Sequence, residues 1–151
     1  MEYNVPEMEN MYRIRISHFR DLLNCITRER ENLISMDING IWSIMEEKQV
    51  ILDSIEKTEK IFADSPDYKT LSHELQPEDL ASIIRLSRTL GKLREEIRVR
   101  VEENISFIKE TLGFFKDIIS VFAMSCRTEG IYGRGTKKRK DSTNMIYHSE
   151  A

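Results

Sequence analysis

Residues 77–127 read PEDLASIIRLSRTLGKLREEIRVRVEENISFIKETLGFFKDIISVFAMSCR, and this stretch decides the fold. Its apolar residues Leu80, Ile84, Leu90, Ile97, Val101, Ile105, Ile108, Leu112, Phe115, Ile119 and Phe122 recur mostly at steps of three, four and seven. Such steps return to one helix face, whereas a strand would need steps of two. Pro77 suits the first turn of a helix, and Glu78 and Asp79 favour the positive end of its dipole. Arg127 in the last turn and Gly130 just beyond it mark the expected stop. A helix of about 50 residues spans roughly 75 Å.

Residues 12–62 follow the same grammar, with Phe19, Leu23, Ile26, Leu33, Ile41, Ile44, Leu52, Ile55 and Phe62 forming a second heptad-like stripe. Ala63–Tyr68 is a connector by composition, and one helical turn is expected through Lys69–Leu75. Prolines stand only at 6, 66 and 77, and glycines at 40, 91, 113, 130, 133 and 135. Turn punctuation every 8–12 residues is absent, which excludes a sandwich or barrel. The expected fold is all-α: a long antiparallel helical hairpin, coiled-coil-like, with a short connector helix and a flexible C-terminal tail. The helical bundle domain would be residues 1–127 and the tail residues 128–151. A two-helix seam buries little, so the connector, a third helix or a second copy of the chain is expected to add to the core. Gly40, Gly91 and Gly113 each weaken a helix by about 1 kcal/mol relative to alanine, and they are candidate kinks or close approaches.

The 151 residues suit a single domain. Cys25 and Cys126 lie too far apart in sequence, and are too few, for a disulfide framework or a four-ligand zinc site. No stretch approaches the ~18–20 apolar residues that cross a bilayer. The acidic N-terminus lacks the pattern of a secretory signal. A soluble cytoplasmic protein is expected, without membrane insertion. Residues 128–151 hold five cations against three acids, a net of +2, which leaves −5 of the total −3 on the first 127 residues. An acidic body is not the footprint of a duplex-binding domain, and no nucleic-acid partner is expected. The run Lys137–Lys140 reads first as a solubilising tail.

Signatures of catalysis are missing: no GxxxxGK[ST], GxGxxG, HExxH or GxSxG occurs. His18, His73 and His148 have no partner at metal-ligand spacing. No enzyme, cofactor or metal is expected. Three features exceed a bland hairpin. Arg30, Asp37, Lys48 and Asn104 fall where the apolar stripes should continue, either fixing register inside the seam or turning to the rim. From Phe107 a second stripe, Phe107, Phe114, Ile118 and Val121, runs beside the first; its cover is a third helix, a dimer mate or an external amphipathic helix. Last, Ile131-Tyr132-Gly133 sets a tyrosine between glycines, which suits a short linear motif with one aromatic anchor.

The chain resembles the FlgN family of flagellar type III export chaperones. The resemblance is carried by Glu29-Arg30-Glu31-Asn32-Leu33, Asp37-Ile38-Asn39-Gly40, Glu46-Glu47-Lys48 with Ile51, Leu52 and Ile55, the late segment from Asn104 to Phe122, and Tyr132-Gly133. In place of the family's short polar stretch after Tyr-Gly, this chain has Arg134-Gly135 and a basic run. The resemblance implies a helical cytoplasmic chaperone that binds hook-associated (hook–filament junction) proteins and delivers them to the export gate. A client helix would lie on Phe107, Phe114, Ile118, Val121 and Phe122, and Ile131, Tyr132 and Gly133 would dock to gate components. The alternative is a self-associating coiled-coil assembly protein, and a homo-oligomer is a further possibility when no client is bound.

Overall fold

The computed structural model describes residues 4–65, Lys69 and 72–132, with side chains as far as Arg127, and three long helices run through these described residues. They are α1 (Val5–Ser35), α2 (Ile38–Ala63) and α3 (Pro77–Tyr132). No strand occurs among the described residues, so the fold is all-α as expected. One expectation fails at once: residues 12–62 are two helices, not one.

The break is written in Met36 and Asp37. Met36 adopts the left-handed conformation, φ 55° and ψ 33°. The Asp37 N–H then reaches back to the Asn32 carbonyl at 3.0 Å and the Met36 N–H to the Leu33 carbonyl at 3.3 Å. This six-to-one and five-to-two pairing satisfies the orphan carbonyls that end a helix. Asp37 immediately caps the next helix, its Oδ1 accepting the Gly40 N–H at 3.0 Å. Gly40 is required by space: a Cβ there would lie 2.5 Å from Asp37 Oδ2 and 2.9 Å from Asn32 Cγ. Gly91 and Gly113 have nothing within 4 Å of such a Cβ, so only Gly40 marks a close approach.

The turn sends α2 back antiparallel to α1. Cys25 Sγ donates to the Ile44 carbonyl, Arg28 pairs with Glu47 and Arg15 with Glu59. On α3, Ser82 meets Glu9 and Asn104 meets Ile26, which sets α3 parallel to α1. The bond from Arg94 to Glu59 keeps α3 antiparallel to α2. The third layer that a two-helix seam needs therefore comes from dividing the first long stretch. Of the expected connector helix, Lys69–Leu75, Thr70 and Leu71 lie outside the described residues; Lys69 is helical, residues 72–75 form a turn and bend, Ser72 donates to the Lys69 carbonyl and Leu75 packs on the core.

Two compact units result, residues 1–109 and 110–151. The core of the first has two clusters. Tyr12, Ile16, Ile83 and Leu90 form one, flanked by Phe19, Phe62 and Leu86. Leu22, Ile26 and Ile97 form the other, with Leu23, Ile51, Ile55 and Val101 around them. Each buried aliphatic side chain contributes about 1.5–3 kcal/mol of transfer free energy. A charged pair is built into this core. Arg15 is 5% exposed. It gives two 2.7 Å hydrogen bonds to Glu59, and its guanidinium lies 3.8 Å from the Phe62 ring centroid. Burial alone would raise the Glu59 carboxyl, but Arg15, then Arg94, hold it below the ordinary carboxylate range.

The second unit contains the last part of α3, and none of its residues 110–127 is buried. The stop expected at Arg127 and Gly130 is absent; the helix runs on through Gly130 to Tyr132. No described glycine takes a positive φ, so the left-handed cap that would end the helix at Gly130 does not form.

Candidate functional site

The heptad stripe of α3 changes character along its length. Leu90 and Ile97 are buried and Val101 packs against them. A polar layer follows. Asn104, only 4% exposed, donates to the Ile26 carbonyl at 3.2 Å and to Glu29 at 3.0 Å, while Lys48 pairs with the same Glu29. Arg30 donates to the Glu103 carbonyl at 3.1 Å, and its guanidinium sits 4.9 Å from the Phe107 ring centroid. Of the two readings of these polar intrusions, the seam is the one adopted by Asn104, Lys48 and Arg30; Asp37 serves as a helix cap. Phe107 is thereby half-covered, on the first unit's side.

Past this layer the apolar series is exposed, beginning with Ile105 and Ile108. This overturns the expectation that the stripe stays a core face as far as Phe122. Ile105 and Ile108 flank the side of α3 that meets α1, which passes through Asn104 and Phe107, and none of residues 110–127 is buried. Periodicity reports which residues share a face; it does not report how far a partner helix lasts.

Within the second unit, Phe114, Val121 and Phe122 are 63, 63 and 68% exposed, and Ile118 is half-buried. Together with Asp117 they line a shallow depression of ≈ 360 Å³. Leu112, Phe115, Ile119 and Met124 are exposed as well, and the Phe114 and Phe115 rings lie 6.2 Å apart. Two adjacent stripes are open here, Leu112–Phe115–Ile119–Phe122 and Phe114–Ile118–Val121. Four of the five residues assigned to client binding are thus together on one exposed helix face, and the fifth, Phe107, sits under Arg30. Ile131 and Tyr132 have helical backbone. Their side chains, Gly133 and Lys137–Lys140 lie outside the described residues.

Sequence reasoning missed a second exposed apolar group, Ile38, Trp42 and Met45 on α2 with Ile34 and Met36 at the preceding turn. Its signal was legible as steps of four and three from Ile38, but the assumption of one continuous helix hid the turn. Among the described residues, no three His, Cys, Asp or Glu gather as a metal site, and no helix is long and apolar enough to cross a membrane. Burial pushes the Cys25 thiol up, away from reactivity.

No family model matches the chain, and neither a curated protein nor a solved structure matches it.

Proposed function

We propose that this chain is a flagellar type III export chaperone similar to the FlgN family, acting in the cytoplasm. It holds the amphipathic terminal helix of a hook-associated protein on the apolar face of α3, prevents early assembly and delivers the client to the export gate. One observation carries the proposal: the exposure of large apolar side chains on two neighbouring stripes through Leu112–Phe122. Contiguous apolar surface of this kind costs free energy in water and marks an interaction site. A helix laid along it would bury Phe114, Ile118, Val121 and Phe122 at about 25 cal/mol per Å² of apolar surface, the helix-in-groove mode of recognition. Phe107 contributes at the edge, beside Arg30. By resemblance, Ile131, Tyr132 and Gly133 dock to gate components. The protein acts by binding alone, with no cofactor or chemistry of its own, and client release is driven elsewhere.

Capture of hook-associated proteins by the purified chain tests this. Phe114→Asp or Phe122→Asp should weaken capture at least about tenfold, the equivalent of ~1.4 kcal/mol, while leaving the thermal melt unchanged. Capture at wild-type strength would remove the α3 face from the proposal. Tyr132→Ala should spare capture and impair export. Sedimentation should give a client-free monomer; a concentration-independent dimer favours the self-associating assembly protein instead.

A further inference from the structure

The turn between α1 and α2 carries an apolar surface that the chaperone proposal does not use. Ile34, Met36, Ile38, Trp42 and Met45 are all exposed, Trp42 by 62%. Ile38, Trp42 and Met45 follow steps of four and three and so share one face of α2, while Ile34 and Met36 belong to the end of α1 and the turn that leads into it. Five large apolar side chains within twelve residues exceed the scattered exposure of an ordinary surface.

The charges around them are one-sided. Between residues 28 and 48 every cation is engaged inside the molecule. Arg28 pairs with Glu47, Lys48 with Glu29, and Arg30 binds the Glu103 carbonyl and the Phe107 ring, which leaves its charge in place; residues 28–48 thus hold three cations against five acids, a net of −2. Glu31, Asp37 and Glu46 are exposed and have no ion-pair partner among the described residues. The Asp37 carboxylate accepts the Gly40 N–H, which leaves its charge in place.

We propose that this turn docks a cationic amphipathic helix of a partner polypeptide. The partner's apolar stripe covers Ile38, Trp42 and Met45, and its Lys or Arg residues meet Glu31, Asp37 and Glu46. Charge complementarity selects this occupant. An anionic membrane surface or an acidic helix would face uncompensated carboxylates. A second copy in a two-fold contact would set the acidic rim against itself. The surface lies wholly within residues 1–109 and does not depend on the α3 face that begins at 112.

Trp42 is the only tryptophan of the chain, so its emission reports on this surface directly. The full chain is titrated with two synthetic helical peptides of about 18 residues, sharing one leucine stripe, flanked by lysine in one and glutamate in the other. The lysine peptide should shift Trp42 emission to the blue and bind roughly tenfold more tightly than the glutamate peptide, with the gap closing as salt rises. Glu46→Lys should cut lysine-peptide affinity several-fold, and Phe114→Asp should leave the Trp42 shift intact. No shift with the lysine peptide, an equal response to both peptides, or loss of the shift in Phe114→Asp overturns the proposal. So does a peptide-free blue shift that grows with protein concentration, which identifies a second copy, or one abolished by deleting residues 133–151, which identifies the chain's own tail.

Discussion

One helix, α3, shows the same heptad pattern in two settings. Over Ile83–Val101 the pattern is inside, against Tyr12, Ile16, Leu22 and Ile26; over Leu112–Phe122 it is open. The side chains are alike in kind, so the difference is not composition. It is burial: α1 packs on the pattern in the first unit, whereas none of residues 110–127 in the second is buried. An equal apolar residue is therefore worth kilocalories of stability in the first unit and is available for binding in the second.

Truncations should separate the two settings most sharply. Ile26→Ala or Ile83→Ala should cost about 2–5 kcal/mol in urea unfolding, whereas Leu112→Ala or Ile119→Ala should stay within about 0.5 kcal/mol. Equal losses at both ends would erase the contrast. Next in size is Arg15→Ala, at about 3 kcal/mol, because it strips the bidentate partner from a half-buried carboxylate. The glycines give opposite signs. Gly40→Ala should destabilise by about 1–2 kcal/mol, since the added Cβ collides with the Asp37 cap and Asn32. Gly91→Ala and Gly113→Ala, both in open helix, should each stabilise α3 by up to about 1 kcal/mol.

The smallest effect concerns pH. The Glu59 carboxyl is held below its ordinary value, so its contribution is complete above the unfolded value near ~4.3 and is lost as pH falls through the lower folded value. Acid titration followed by circular dichroism should show this loss in the wild type and a flatter profile in Arg15→Ala. A variant with an identical acid profile would sever Glu59 from acid stability.

Much of this was legible in the residues. The stripes name Phe19, Leu23, Ile26, Ile44 and Ile55, then Leu90, Ile97 and Val101, correctly as core-facing, because a helical period and a covering partner coincide there; Leu52 is instead exposed while Ile51 packs on the core, and Ile83 is buried in place of Ile84. The wide apolar face from Phe114 to Phe122 was equally readable, since its steps need no tertiary knowledge. The turn at Met36 was not. Methionine is a poor residue for a left-handed conformation, and Gly40, the obvious breaker, stands three residues past the cap whose N–H bond it supplies. Missing that turn overstated the length of the first helix. The buried Arg15 and its partner Glu59 are 44 residues apart, beyond any local pattern. The family resemblance adds the client and the gate, which neither periodicity nor packing can name.

The tight connection at Met36–Asp37 also bears on how the chain finds its structure. Bringing α1 and α2 together requires almost no loop closure, so their pairing is local and fast. Adding Ile83, Leu90 and Ile97 requires the chain to return across the segment between Ala63 and Pro77, with partners some 70 residues distant in sequence. The rate of folding is then governed by that late arrival, and a ribosome-bound chain could complete its first hairpin well before the final helix emerges.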